Sequence, residues 1–276
     1  MYVFIEPDAE AVTAHAYAYV RGIITRKPDC VLGLPTGSTP LRLYQALAAG
    51  YQNNELDFAR VRTFNLDEYI GLGPDHPQSY RFFMQEHFFG HVNLNPDNIH
   101  FLSGLPEDVE AHCEAYERDI RNTGGITLQI LGLGRDGHIG FNEPTSSLRS
   151  RTRDKTLTRA TIEDNRRFFE REEDVPRWAL TMGVGTILEA REILVLAAGR
   201  PKAGALAAMV EGPVTAMCTA SALQTHPRVR VVCDESAAAK LEYDEYYRWM
   251  ALNDYRMQAF LDGSKKARPG NAPLPS

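Results

Sequence analysis

Three short segments of this 276-residue chain collect the residue types that anion binding and proton transfer require. In the first, Pro35-Thr36-Gly37-Ser38-Thr39-Pro40 follows the apolar run at 30–34. Gly37 lets the backbone bend close to a ligand. Ser38 and Thr39 add hydroxyl donors at a helix start, where free N–H groups and the dipole attract phosphate. No Gly-Lys-Ser/Thr follows, so this is not a Walker loop, and a plain capped turn between strand and helix accounts for it equally well. In the second, Asp67 and Glu68 come directly after the apolar run at 61–66. Such a pair standing alone is more often a helix cap or a solvated charge than a catalytic group.

The third segment, LGRDGHIGFNEP at 133–144, is the most specific, because it groups Asp136, His138 and Glu143. Histidine titrates near neutral pH and suits general acid/base work. Nearby carboxylates can orient its ring and raise its pKa. The same side chains could ligate a metal, but no second histidine is close enough in sequence to complete a common site. His87 and His91 have i,i+4 spacing, yet Gly90 and the end of a helical run separate them. Ser146 and Ser147 lack the G-x-S-x-G setting of a nucleophile.

The elements that must position these groups alternate. Apolar periodicity predicts helices at 8–25, 40–49, 78–89, 107–121 and 202–210, and short strands at 30–34, 61–66, 98–102, 126–133, 192–198 and 229–233. Thr39 is the expected N-cap of the second helix, with Pro40 at its first position. Residues 236–261 are predicted helical in one or two pieces, and 263–276 form a Pro-, Gly- and Ser-rich tail expected to be disordered. Strands separated by helices give an α/β fold: an open, mostly parallel, doubly wound, Rossmann-like sheet. In such a sheet ligands sit beyond the carboxyl ends of the strands, so all three segments could face one crevice. No repeat or long linker divides residues 1–262, which are expected to be a single domain. The charge-dense stretch 149–177 fits no period and is expected to be a lid, at about 149–180, or a disordered loop.

Composition narrows the function classes. Net charge is -6 and 43% of residues are hydrophobic. That argues against a general nucleic-acid binder, which would show a basic patch. No apolar stretch approaches the ~20 residues of a membrane span. The N-terminal MYVFIEPDAE has no secretory pattern. Cys30, Cys113, Cys218 and Cys233 are widely spaced, without C-x-x-C. A reduced, cytoplasmic protein is the expectation.

Taken together, LGLPTGSTP at 32–40, FNLDEYIGL at 64–72, LGRDGHIGFNEP at 133–144, SSLRSRT at 146–152 and ALTMGVGTIL at 179–188 resemble the glucosamine-6-phosphate deaminase family. The resemblance runs from the first strand to Asp234-Glu235, and the DGHIGFNEP string is its most specific part. It implies a hydrolase/isomerase-type enzyme of amino-sugar catabolism that turns glucosamine 6-phosphate and water into fructose 6-phosphate and ammonia, with no metal or organic cofactor.

Carried over position by position, His138 opens the pyranose ring, held and tuned by Asp136 and Glu143. Asp67 moves a proton between carbons 2 and 1. The phosphate rests on Gly37, Ser38 and Thr39 with Arg167 and Lys202. The resemblance also implies a homo-oligomer, a hexamer being favoured, and an effector, N-acetylglucosamine 6-phosphate, held by Ser146, Ser147, Arg153 and Lys155 with a tyrosine, either Tyr246 or Tyr247. Two alternatives stand beside this reading. A 6-phosphogluconolactonase would not need the proton shuttle at Asp67, so FNLDEY argues for the deaminase. A non-catalytic sugar-phosphate sensor would carry a DNA-binding helix-turn-helix, for which this acidic chain leaves no room.

Overall fold

In a computed structural model of the chain, residues 1–166, 169 and 171–253 are described; Arg167 and the 263–276 tail lie outside them. The chain order is β1 Tyr2–Glu6, α1 Ala9–Arg26, β2 Val31–Leu34, α2 Ser38–Gln52, β3 Arg62–Asn65, β4 Asp67–Tyr69, α3 Tyr80–His87, β5 Ile99–His100, α4 Val109–Asn122 and β6 Leu128–Gly132. Then follow β7 Arg153–Thr156, α5 Arg159–Arg166, β8 Trp178–Thr181, α6 Val184–Leu188, β9 Glu192–Ala197, α7 Ala203–Val210, β10 Val229–Asp234, α8 Glu235–Ala238 and α9 Asp244–Asn253.

Seven strands pair in the order β1-β10-β9-β6-β2-β3-β5, every pairing parallel. The expected mostly parallel sheet is therefore present. Alternate residues of its strands feed two separate cores. Ile193, Val195 and Ala197 of β9 join the core that takes Cys113, Tyr116 and Ile120 of α4 and Leu206 of α7. Leu194 and Leu196 join the opposite core with Val12, Ala16, Val20 and Ile23 of α1 and Leu43 and Leu47 of α2. Burial on both faces explains why these strands read as continuous apolar runs rather than as alternations. The chain builds outward from β2 to β3 and β5, then returns to the other flank of β2 with β6. The switch point, where a crevice opens at the strand ends, lies between β2 and β6.

The sequence reading departs from the structure in a few places. Helix α2 begins at Ser38, with Gly37 rather than Thr39 as the N-cap residue and no side-chain cap. Pro40 sits inside the first turn, where its missing N–H costs nothing. The strand β1 was not among the predicted ones; it pairs with β10, residue 2 against residue 230. The charged excursion is not wholly irregular. Its ends, β7 and β8, pair antiparallel with each other and with β4 in a second, three-stranded sheet of order β4-β8-β7. The chain leaves the parallel sheet at Leu66, whose N–H donates to Leu34 O at 3.0 Å and whose carbonyl accepts from Met182 N–H at 2.7 Å. Asp67 therefore starts a new strand and is held by pairing with Thr181, not by a turn.

Candidate active site

A cleft of about 620 Å³ opens at the switch point. Gly37, Ser38 and Thr39 line it from the end of β2, Asp67 and Tyr69 from β4, His138 from the loop after β6, and Lys202 from the segment after β9. Strand ends that are far apart in sequence thus converge, as the topology demands. At Gly37 φ is +116° and a Cβ would meet nothing within 4 Å. The turn is bent into a conformation that favours glycine, with open space above it and the start of α2 beneath. Open space at a helix start is a place where an anion could be received.

His138 has side-chain exposure of 23%. Its Nδ1 lies 2.7 Å from Asp136 Oδ1 and 3.6 Å from Glu143 Oε2. The Asp136 carboxylate also accepts from His138 N–H at 3.1 Å, closing a tight loop. The ring packs on Gly134, where a Cβ would stand 2.6 Å from ring carbons, so only glycine lets the imidazole lie there. With Nδ1 facing carboxylates, Nε2 is the nitrogen left for a ligand. Burial lowers the histidine pKa, but the Asp136 hydrogen bond and the charges of Asp136 and Glu143 outweigh it, and the net shift is upward. The hydrogen bond to His138 lowers the Asp136 pKa in turn. Glu143 is 1% exposed. Its Oε1 accepts from Thr158 N–H at 3.3 Å and from the Thr161 hydroxyl at 2.5 Å, which ties the base of α5 to the histidine.

The donor atoms of Asp136, His138 and Glu143 lie within 4.8 Å of one another, a spacing compatible with a metal. The 2.7 Å between Nδ1 and Oδ1 fits a close histidine–carboxylate ion pair better, because two ligands each ~2.0–2.1 Å from one zinc stand more than ~3 Å apart in a tetrahedral site.

Asp67 is 6% exposed, and its Oδ1 has no hydrogen-bond partner. Burial and the neighbouring Glu68 charge push its carboxyl up to about 8, against the opposing effect of His138. A carboxylate so poorly solvated is a strong base for its type.

Sequence reasoning missed the aromatic wall. Tyr69, Tyr80, Phe83, Phe141 and Phe169 line the cleft. Tyr80 stacks on Phe141 at 5.9 Å with 9° between planes, and the two tyrosine hydroxyls lie 3.2 Å apart. Tyr69 and Phe141 stand beside the motif residues and could have been noticed there. Tyr80 and Phe83 carry no local signal.

Of the expected effector residues, Ser146 is buried, its Oγ without a partner, and Ser147 is exposed. Arg153 and Lys155 share one face of β7, and Arg153 Nη1 donates to Asn142 Oδ1 at 3.0 Å. Tyr246 is 54% exposed on α9, whereas the Tyr247 hydroxyl donates to Glu211 at 3.1 Å. None of these residues lines the main cleft. Arg167 lies outside the described residues.

The family model described as glucosamine-6-phosphate isomerases/6-phosphogluconolactonase matches residues 7–232. A glucosamine-6-phosphate deaminase of Hahella chejuensis is 55% identical over 258 residues, 94% of this chain and 98% of the relative. One from Shewanella loihica is 50% identical over 265 residues, 96% and 99% of the two chains. A solved structure described as a monomeric glucosamine-6-phosphate deaminase superposes with a TM-score of 0.85 at 41% identity, covering 87% of this chain and 100% of that one. A 6-phosphogluconolactonase from Trypanosoma brucei reaches 0.71 at 19% identity over 87% of this chain and 98% of its own, a likeness of fold.

Proposed function

The chain belongs to the glucosamine-6-phosphate isomerase and 6-phosphogluconolactonase family, and from that premise we infer that it deaminates glucosamine 6-phosphate to fructose 6-phosphate and ammonia. The observation that carries the reading is one cleft that holds a buried carboxylate, a carboxylate-bound histidine and a glycine turn at a helix start. The phosphate sits on Gly37, Ser38 and Thr39, with Lys202 and, from the resemblance, Arg167 as cationic partners. His138 takes the proton of the anomeric hydroxyl and returns one to the ring oxygen, which opens the pyranose. Asp136 and Glu143 hold the imidazole and stabilise its protonated form. Asp67 then removes the proton from carbon 2 and delivers it to carbon 1, while the oxygen on carbon 1 takes up a proton and the amine gives one up. This converts the 2-amino aldose into the imine of the ketose. Water adds at carbon 2 and the amine leaves as ammonia.

The deaminase relatives support an isomerisation coupled to loss of the amine; they give no support to describing the enzyme as a hydrolase. Lactonase activity is the second reading, named in the description of the matched family model and by 6-phosphogluconolactonase fold neighbours of 18–20% identity. Ammonia release from glucosamine 6-phosphate by the purified protein, with no added metal, separates the two. Phosphate supplies binding energy remote from the reacting carbons, so Lys202→Ala is expected to raise KM about tenfold or more with a smaller change in kcat. Glucosamine lacking the phosphate should be a very poor substrate, and equal activity on it removes the phosphate site.

The finer reading extends to regulation. Arg153 and Lys155 on one face of β7, close in sequence to Ser146 and Ser147, suit a second phosphate. On this reading N-acetylglucosamine 6-phosphate binds there in a cytoplasmic hexamer and biases the loop that carries Glu143. Effector is expected to lower the half-saturating substrate concentration, and the Arg153→Ala, Lys155→Ala double variant to lose that response at nearly parental maximal turnover. Hyperbolic kinetics indifferent to effector, with a monomer by light scattering, would place the chain with the monomeric relative instead.

A further inference from the structure

Glu68 stands beside Asp67 on β4 and is 1% exposed, yet it does not line the cleft. Adjacent strand residues point to opposite faces, and the Glu68 carboxylate is engaged with a helix from another part of the fold. Its Oε1 accepts from Tyr69 N–H at 2.8 Å and Tyr80 N–H at 2.9 Å, and its Oε2 accepts from Arg81 N–H at 2.9 Å. Tyr80 and Arg81 open α3, and the first N–H groups of a helix have no partners of their own. The next two are satisfied by Ser79, whose Oγ accepts from Phe82 N–H at 3.1 Å and whose carbonyl accepts from Phe83 N–H at 3.1 Å. The negative charge also suits the positive end of the helix dipole. Helix α3 in turn brings Tyr80 and Phe83 to the cleft, and Tyr80 reaches back to the Tyr69 hydroxyl and stacks on Phe141.

We propose that Glu68 is a positioning residue for the proton transfer at Asp67: its carboxylate locks β4 to the first turn of α3, so that the base and the aromatic wall move as one body around the bound sugar. This rests on the reading of Asp67 as the base. A fixed distance from carbon 2 matters because a displacement of about 1 Å can cost about 100-fold in rate.

The lock also has an electrical side. The titratable groups close enough to couple electrostatically to Asp67 are Glu68 on the other face of its own strand, His138 from the loop after β6, and the phenols of Tyr44 on α2, Tyr69 on β4, Tyr80 on α3 and Tyr116 on α4. Of the charged ones, Glu68 opposes ionisation of Asp67 and His138 favours it; burial pushes Glu68 itself up to about 7 against its three backbone N–H donors, which leaves it mostly charged where Asp67, at about 8, titrates. Removing the Glu68 charge therefore lets Asp67 ionise at lower pH.

The test is kcat and KM across pH for Glu68→Gln and Glu68→Asp in the full chain. Gln keeps an oxygen for the Tyr69 and Tyr80 amides and removes the charge. The acid limb of kcat/KM is expected to move about one pH unit lower. Asp keeps the charge but is one methylene too short to span to α3. Its acid limb is expected to stay in place while kcat falls about tenfold or more, with KM changed less. A limb that stays put in the Gln variant, or parental turnover in the Asp variant, overturns the proposal, because a merely structural residue would not move the limb. Should neither variant fold, amide hydrogen exchange in the parent protein decides. Tyr80 and Arg81 amides are expected to be protected although they lie at a helix start, and rapid exchange overturns the lock. Parental turnover in Asp67→Asn would mean that the reading of the base has failed. An inactive Asp67→Asn beside an unmoved limb in Glu68→Gln would mean that only the present proposal has failed.

Discussion

Asp67→Asn is expected to cut turnover by about 100-fold or more while leaving the dissociation constant for glucosamine 6-phosphate within a few-fold of parental. That is the scale on which loss of a positioned acid/base acts, and the amide keeps the size and polarity of the carboxyl. The same variant carries a stability signature of opposite sign. Burial and the Glu68 charge hold the Asp67 carboxyl up to about 8 in the folded chain, far above the ordinary ~3.9 that an unfolded chain shows. The folded protein therefore keeps a proton that the unfolded chain releases, so the stabilisation conferred by the neutral group is present at low pH and is lost as pH rises from about 4 through about 8. Asn cannot ionise and escapes this loss. The Tm of the variant minus that of the parent should grow more positive across that range, read by thermal scans at pH 5, 7 and 9. A flat difference would mean that Asp67 is ionised and solvated in the folded protein, which would contradict the buried base.

His138→Gln is expected to lower turnover by about 100-fold or more as well. Part of the activity survives, because some sugar opens spontaneously in water and the step at Asp67 is intact. The loss should therefore be greatest on substrate added as the closed pyranose and smaller when turnover is slow enough for spontaneous opening to keep pace. Steady-state and pre-steady-state ammonia release distinguish these regimes. Near-normal turnover at all concentrations would remove His138 from the mechanism.

Residues that act through local sequence were legible from the start. The run ITLQILGL and the string DGHIGFNEP predict a buried strand that ends in an acid/base cluster, and the structure brings Asp136 and Glu143 to within 2.7 and 3.6 Å of His138. The Gly37 turn was legible too, but its cap was misassigned. Thr39 is a good capping type, whereas a glycine at φ +116° takes the N-cap place and leaves the backbone open toward a ligand. What local sequence does not encode is tertiary pairing. Strands β4 and β7, with DEY and RDKT, are too short and polar for a period of two to show, and only their pairing with β8 makes them strands. The tyrosine wall depends on Glu68 capping a helix that starts twelve residues later. Strand β1 is apolar enough to be found, but its partner β10 lies at the far end of the chain.

The central claim is that Asp67 carries a proton from carbon 2 to carbon 1 in a reaction that releases ammonia. Its most direct test is turnover of glucosamine 6-phosphate in heavy water, with the fructose 6-phosphate product analysed by NMR alongside ammonia. One ammonia per fructose 6-phosphate is expected, with deuterium entering at carbon 1 through exchange of the carried proton, and loss of both in Asp67→Asn. Ammonia formed at the parental rate by Asp67→Asn, with the same label at carbon 1, would contradict it.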